Sequence, residues 1–580
     1  MSAFLSVDRS LTGRRWTGPT LEADRAAEAL ARDAAIPLPV ARLLAARGVT
    51  APECAAHLDP KLRDLLPDPR SLRDMDKAAR RLVEAVTARQ RIAVFADYDV
   101  DGASSAALLL CWLRDLGRPA TLYVPDRIDE GYGPNVPAMA DLGRRHDLIV
   151  CVDCGTLSHD PVAAAGTDVV ILDHHLGGET LPAAMAIVNP NRQDETGTLG
   201  HLCAAGVTFL TLVEANRLIR AAGQTAPDLM RLLDLVALAT VADVAPLTGV
   251  NRAFVRTGLT VMGLRDRPGL VALSDAAGLD RAPDTYHLGY ILGPRVNAGG
   301  RIGRADLGAR LLSTTDPREA ATLAAELDRL NADRRAIDAA VRAEALAQAE
   351  ARGTDGPLVW AAGDGWHPGV VGIVASALKE ATNRPAVVIG LDGDIGKGSA
   401  RSVAGIDLGA AIHRIAAEGL LLKGGGHKMA AGLTVARDMI PAAMARLSDL
   451  LARQGAGDTG PADLPLDGLL MPAAATVDLV AALDRAGPFG AGAPAPRFAF
   501  PAMVIHAARA LNGGHLKLTV GDGIGARIDA ISFGAAEGAL GHALLRPDGR
   551  RFHLAGRIET NHWQGRQTVQ IKLEDASPAT

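Results

Sequence analysis

Between residues 91 and 172 short apolar runs recur: RIAVFA (91–96), ATLYV (120–124), HDLIVCV (146–152) and TDVVIL (167–172). Helical patterns lie between them, clearest in SSAALLLCWLRDLG (104–117). Near-continuous apolar strands alternating with helices predict a parallel sheet covered on both faces. Residues 203–262 lose that alternation and read mostly as helix, best in DLMRLLDLVALATVADV. The run from Asp316 to Arg352 has no Gly or Pro after Pro317, so it predicts one long helix bridging two bodies. A second α/β segment opens with PLVWAAGDG (357–365) and PAVVIG (385–390) and closes with GLTV (432–435) and a helix to about residue 453. QGAGDTGPADLP (454–465) reads as a Gly/Pro-rich linker. Beyond it FAFPAMVIHAARAL, HLKLTVGD, RIDAISFG, FHLAGRIET and TVQIKLED are short strands parted by turns, the pattern of a small β-barrel. The expected division is a helical region over 1–75, an α/β domain over 76–315, the connecting helix 316–352, a second α/β domain over 353–455 and the barrel over 463–575.

Composition narrows the class more than the activity. A chain of 580 residues exceeds one ordinary core, and 48% hydrophobic with 22% charged residues is usual for globular domains. Five cysteines, an odd and sparse set, argue against a disulfide scaffold and for a reducing compartment. The start MSAFLSVDRSLTGRRW lacks the apolar core and cleavage site of a signal peptide, and no apolar run reaches membrane-spanning length, so the expectation is cytoplasmic with no membrane contact. The net charge of −5 neither favours nor excludes nucleic acid, because a basic surface is usually local.

The apolar runs end in carboxylates. Asp97 follows RIAVFA, Asp153 follows LIVCV and Asp173 follows VVIL, with His174 and His175 next in line. Asp99 and Asp101 crowd the first of these sites, and Asp243 in ATVADVAPL is a further donor where a helix ends. Carboxyl ends of strands in an open α/β sheet converge on one crevice, where uncompensated aspartates would raise one another's pKa and cost stability. Divalent cations relieve that repulsion, and hard carboxylates with imidazole suit Mn²⁺ or Mg²⁺ rather than structural zinc. A lone strand-end aspartate is more often a helix N-cap than a ligand, a role Asp101 would fill for a helix from Ser104. The convergence of three strand ends with paired histidines favours a dinuclear centre. Cys151 and Cys154 have no second pair and read as buried small hydrophobes.

In chain order, DYDVDG, VDCG, DHH and TVADVAPL resemble the four motifs of the DHH phosphoesterase superfamily. VPDRIDEGYG (124–133), GPRVNAGGRIGRA (293–305), GWHPGVVGIVAS (365–376), GSARS (398–402) and GGGHKMAAG (424–432) are similar to the RecJ family of single-strand-specific 5′→3′ exonucleases, from about residue 60 onward. The resemblance implies a DHH domain, a DHH-associated domain and an OB-fold barrel. It implies a two-metal hydrolase, with Mn²⁺ or Mg²⁺, that releases mononucleotides in DNA recombination and repair. Its ligands would be Asp99, Asp101, Asp153, His174 and Asp243, with Asp97 and Asp173 in or beside that set and His175 facing the scissile phosphate. Arg127 and Tyr132 would hold the terminal phosphate or nucleotide, Arg301, Ser399 and Arg401 would close that pocket, and His427 would contact substrate from the second domain. Implied partners are single-stranded DNA, a helicase and a single-strand binding protein, around a monomeric enzyme.

Elementary chemistry supports these assignments. Paired cations activate water near neutral pH without a protein general base, and the arginine fork binds two phosphate oxygens at once. The run KGGGHKMAAG lacks P-loop spacing, since Met429 follows Lys428, and reads as a bare backbone platform. GWHPGVVG would place helix-start amides against a phosphate, or use His367 merely as a cap. In the barrel, Lys517, Arg527, Arg557, His562, Trp563 and Arg566 are candidate strand contacts. Ala493 in PFGAGAP stands where the family pattern has asparagine. The competing readings are an oligoribonuclease or nucleotide phosphatase of the superfamily, to which the barrel extension is foreign, and a non-catalytic replication scaffold, which would have lost ligands this chain keeps.

Overall fold

The computed structural model describes residues 3–126, 130–457, 462–563 and 566–579. Met1–Leu66, Leu247–Ala253 and Gly460–Thr580 form one compact unit, and Pro67–Pro246 with Phe254–Thr459 form the other. Among the described residues no helix is long and apolar enough to cross a membrane. All five cysteines are free and buried.

The smaller unit opens with a 3-10 turn, Phe4–Ser6, and a short strand, β1 (Arg15–Thr17), followed by helices. Its remaining strands come late in the chain and are described last.

The larger unit starts with a five-stranded parallel sheet. Its strands are β2 (Ile92–Ala96), β3 (Thr121–Tyr123), β4 (Leu148–Val152), β5 (Asp168–Leu172) and β6 (Ala186–Val188), in the order β3-β2-β4-β5-β6. β2 and β4 are buried at every position, as a sheet with both faces covered requires. From β2 the chain moves to one neighbour for β3 and to the other for β4, so the topological switch lies between β2 and β4. That is where an open α/β sheet presents its ligand crevice. Helix α1 (Val100–Asp115) leaves this edge directly after β2; α2 (Ala204–Ala221), α3 (Leu233–Ala242) and α4 (Gly293–Ile302) follow.

Helix α5 (Pro317–Arg352) runs 36 residues, capped by the Asp316 carboxylate accepting from the Arg318 N–H. It leads to a second sheet made of β7 (Val359–Asp364), β8 (Ala386–Asp392), β9 (Ile395–Arg401), β10 (Lys423–His427) and β11 (Ala430–Ala436). The order is β10-β11-β9-β8-β7, with only β7 and β8 parallel. Helix α6 (Val371–Thr382) packs its Val371, Val374 and Leu378 on one face, over Val359 and Val388. Helices α7 (Leu408–Ala417) and α8 (Ile440–Ala452) fill the core on the other face.

The smaller unit resumes at β12 (Asp463–Pro465), which pairs in parallel with β1. The end of the expected linker is therefore a strand. Five more strands, β13 (Phe498–Leu511), β14 (His515–Gly521), β15 (Arg527–Ser532), β16 (Phe552–Trp563) and β17 (Arg566–Pro578), close a barrel in the order β13-β14-β15-β17-β16. Pro501 falls where the pairing of β13 with β16 shifts register, a place that needs no amide donor. Residues 1–66, expected as part of a helical region of their own, share a core with the barrel. Leu30, Leu43, Leu44 and Leu58 join Phe498, Phe500, Phe552 and Leu554 in one cluster. Their helices are too short to bury an independent core.

Candidate metal centre

Three strand tips deliver carboxylates to the crevice. Asp97 follows β2, Asp153 follows β4 and Asp173 follows β5, and each is almost fully buried. Asp153 takes a left-handed backbone (φ 60°), which aspartate tolerates better than most residues and which turns the chain sharply off the strand. Helix α1 returns so close to β2 that a Cβ on Gly102 would lie 2.4 Å from the Asp97 carbonyl oxygen, so only glycine fits.

The sequence reading of Asp101 as an N-cap changes. The cap of α1 is Asp99, whose Oδ1 accepts from the N–H of Asp101 and Gly102 at 2.9 and 3.1 Å. Asp101 lies inside the first turn, and its two oxygens accept from Ala204 and Ala205 at the start of α2, at 2.6 and 2.8 Å. Asp243 is the C-cap residue of α3, 3.8 Å from His174 Nε2.

Among the described residues three overlapping groups have ligand atoms within 4.8 Å of one another: Asp97, Asp99 and Asp153; Asp101, His174 and Asp243; Asp153, His174 and His175. Asp153 and His174 each belong to two groups, the sharing that two adjacent ions require. The donors are carboxylate oxygens with imidazole nitrogen, and Asp153 Oδ1 is buried without a hydrogen-bond donor, 3.3 Å from His174 Nε2. Residues of this kind fit Mn²⁺ or Mg²⁺. Burial, then the neighbouring carboxylates, raises the pKa of Asp153 well above the usual range and that of Asp243 to about 8; burial likewise raises Asp101.

Of the two places expected for Asp173, in or beside the ligand set, it takes the second, for it contributes to none of these groups but bonds to both histidines. Its Oδ1 accepts from the His174 N–H (2.7 Å), the His175 N–H (3.2 Å) and His175 Nδ1 (2.8 Å), and its Oδ2 from the Thr156 N–H (3.1 Å). Burial pushes its pKa up, but the bonds from His175 and Thr156 prevail and hold it below the ordinary carboxylate range. Burial works against charged His175, yet Asp173 outweighs it and lifts the imidazole to about 9. The Tyr132 hydroxyl lies 3.1 Å from His175 Nε2 and 3.2 Å from the Asp153 carbonyl, and its ring meets that of Tyr98 edge-on. Arg127 lies outside the described residues.

The sequence reading missed Asn189 and Asn191. Buried Asn189 donates to Thr156 Oγ1 (2.9 Å) and the His175 carbonyl (2.8 Å), and Asn191 donates to the His174 carbonyl (2.6 Å). Their signal is a polar residue directly behind the three-residue run AIV, the same strand-tip logic in a strand too short to notice.

Arg301, Ser399 and Arg401 line one cavity of about 360 Å³, together with Lys397, Gly372 and Gly432. Lys397, Ser399 and Arg401 alternate along β9 and so share a face, a period-two signal the motif GSARS did not include. Arg301 reaches from α4 and donates to the Gly369 carbonyl at 3.0 Å. A Cβ on Gly372, at the start of α6, would lie 3.1 Å from Ser399 Oγ and 3.2 Å from Arg401 Nη2. His367 Nδ1 accepts from the Gly369 N–H, so it caps this turn. His427 is exposed and does not line the cavity, but the register places it on Arg401's face, two strands away through Ala430. Gly425 and Gly432 stand in register beside them, leaving a bare floor.

In the barrel, Lys517 pairs with Asp529 at 3.4 Å and Arg557 with Glu574 at 2.7 Å, while Arg527, His562 and Arg566 are exposed. Phe533, not singled out from sequence, is 55% exposed, with His515 edge-on at 5.1 Å and Lys572 over its ring at 5.5 Å. Ala493 is buried and closes a two-bond turn with Gly490, so no polar group is needed there.

Residues 91–240 match the DHH family, N-terminal domain, 355–453 the DHHA1 domain and 466–575 the RecJ OB domain. Over 567 residues the chain is 38% identical to the single-stranded-DNA-specific exonuclease RecJ of Dickeya dadantii (strain 3937), covering 94% of this chain and 96% of that one. The crystal structure of RecJ from Thermus thermophilus in complex with Mn²⁺ superimposes with a TM-score of 0.80 at 31% identity, covering 97% of this chain and 79% of that one. The same protein in complex with Mg²⁺ gives 0.75 at 30% identity, over 97% of this chain and 78% of that one.

Proposed function

The chain belongs to the RecJ family of single-stranded-DNA-specific exonucleases, and from that premise we propose that it digests unpaired strands from the 5′ end, releasing mononucleotides. It is a metal-dependent exodeoxyribonuclease of DNA recombination and repair that uses Mn²⁺ or Mg²⁺. The observation that carries the reading is the set of three donor groups sharing Asp153 and His174 at the sheet's switch point.

Asp97, Asp99, Asp101, Asp153, His174 and Asp243 hold the ions in this reading. When bound, the ions supply an activated water near neutral pH and neutralise charge gathering on the phosphate. Asp173 and Asn189 are positioning residues: the first fixes the His175 ring through Nδ1, the second the His175 backbone. His175 Nε2 thereby stays on the Tyr132 side, available to donate to a non-bridging phosphate oxygen. Arg301, Arg401 and Ser399, with Lys397 at the rim, take the terminal 5′ phosphate, as the planar guanidinium pair is suited to do. His427 and the glycine floor contact the strand from the second domain, beside that pocket, and Arg127 joins Tyr132 at the terminal nucleotide. A helicase and a single-strand binding protein serve as partners because a duplex end offers no unpaired strand. The enzyme works as a cytoplasmic monomer.

The test is a time course on one oligonucleotide labelled at the 5′ or the 3′ end, with Mn²⁺, Mg²⁺ or chelator, beside a dinucleotide control. Expected are early release of 5′ label as mononucleotide, progressive shortening of the 3′-labelled strand and no cleavage in chelator. Early loss of 3′ label would overturn the polarity, and preference for the dinucleotide would shift the reading to an oligoribonuclease.

A further inference from the structure

A single helical rod runs from Thr285 to Ile302: a six-residue π-helical stretch, His287–Leu292, that passes into α4 without a break. Its far end carries Arg301, at the cavity assigned above to the 5′ phosphate. Its middle packs against the two segments that carry Asp243 and Asp101. A Cβ on Gly293 would lie 3.1 Å from Ala242 and 3.9 Å from Val100, the residues immediately before Asp243 and Asp101, and Asn297 Oδ1 accepts from the Val100 N–H at 3.0 Å. Its near end carries Tyr286 and Tyr290, four residues apart on one face, their rings stacked 5.2 Å apart at 26°.

Only 3% of the residues are aromatic; among the described residues nine aromatic side chains are buried, and none of them is a tyrosine. Tyr286 and Tyr290 are 51% and 71% exposed and, unlike exposed Tyr132, stack on another tyrosine. Paired flat rings left in water forgo the burial that normally retains tyrosine in a fold and mark a surface that meets something. π-Helical stretches are rare and concentrate at functional sites.

We propose that Tyr286 and Tyr290 are a stacking platform for unpaired nucleobases of the strand that has not yet reached the metal centre. The inference rests on the exonuclease reading and adds a subsite to it. Along the rod the order is end-phosphate cavity, metal centre, tyrosine pair, and the stretch of helix from the tyrosines to Arg301 spans about 20 Å. A strand whose 5′ phosphate sits at Arg301 and whose scissile bond lies at the ions therefore reaches the tyrosines several nucleotides downstream. Stacking is sequence-tolerant because every base has a π face, and it requires bases not already stacked in a duplex. The platform thus favours single strands by stacking alone.

The experiment compares wild type with a Tyr286→Ala/Tyr290→Ala variant and a Tyr286→Phe/Tyr290→Phe variant, on 5′-phosphorylated DNA from two to twenty nucleotides long. The alanine variant is expected to raise KM on long strands by roughly 5- to 100-fold, with kcat little changed and the dinucleotide unaffected. The phenylalanine variant keeps wild-type KM, since the ring and not the hydroxyl acts. A scan of single abasic sites through the long strand should raise the wild-type KM at one or two positions downstream of the cut and leave the alanine variant indifferent there. An equal loss at all lengths, no loss on long strands, or a flat abasic scan with wild type would overturn the platform. Failure of wild type to digest any single strand would instead sink the exonuclease reading itself.

Discussion

At the scale of single residues, the site is under electrostatic tension until cations arrive. Asp101, Asp153 and Asp243 are buried among carboxylates, and each is shifted upward, Asp243 to about 8. A carboxyl whose folded pKa exceeds its unfolded value binds more protons in the folded state. Its contribution is then full below the unfolded pKa near 4 and is lost as pH rises through the folded value. The melting temperature of the ion-free protein should therefore fall between pH 6 and 8.5, while the stabilisation given by Mn²⁺ grows over the same window. Calorimetry at pH 7 should also record proton release on Mn²⁺ binding. A companion case is Asp153→Asn, which keeps the left-handed backbone and removes the charge this buried carboxyl takes on once pH exceeds its raised pKa. It should raise the ion-free melting temperature by a few degrees, abolish the Mn²⁺-induced rise and lower kcat by on the order of 10²–10³. A metal-free melting temperature below wild type would contradict this account. Strand-tip carboxylates and the paired histidines were legible because each follows an apolar run. The inward duty of Asp173 was not, because four donors from its own and a neighbouring loop claim its oxygens, and loop closure leaves no periodic trace.

At the scale of elements, the first βα turn is where sequence and geometry meet most tightly. Gly102→Ala would put a methyl 2.4 Å from the Asp97 backbone carbonyl oxygen, which cannot swing aside, so α1 must move. Asp99 and Asp101 ride on that helix, one at its cap and one in its first turn. We expect the variant to fold, with Mn²⁺ affinity reduced roughly 10- to 100-fold, the range seen when a supporting contact of a metal site is lost. Titration calorimetry measures it, and wild-type affinity would remove Gly102 from this role. The parallel strands, the long helix and the barrel strands could be read from periodicity and turn residues. β6, β1 and β12 could not, because RWT and DLP are three-residue strands outside any longer apolar run and AIV trails alanines, which are depleted in strands, whereas three-residue β3 lies within ATLYV.

At the scale of the whole molecule, residues 1–66 depend on partners 448 and more positions away. Trp16 is fully buried, its Nε1 donates to Asp575 Oδ2 at 2.9 Å, and β1 has no strand partner but β12 among the described residues. Deleting residues 463–579 should therefore do more than remove the barrel. It should leave Leu43, Leu44 and Trp16 without cover, seen as new binding of a hydrophobic dye and first protease cuts before residue 67. Resistance of that segment in the truncated chain would show that it folds alone. The amphipathic helices here were readable, but their shared core was not, because a pattern shows which face is apolar and not what will cover it.

The pairing of β1 with β12 also sets a timetable. During synthesis at 5–20 residues per second, the opening segment waits roughly 20–80 seconds for the strand that completes it. A ribosome stalled in the middle of the message would hold a greasy, half-made edge in the open, so the yield of this enzyme in a cell should track chaperone supply more closely than its finished stability would suggest.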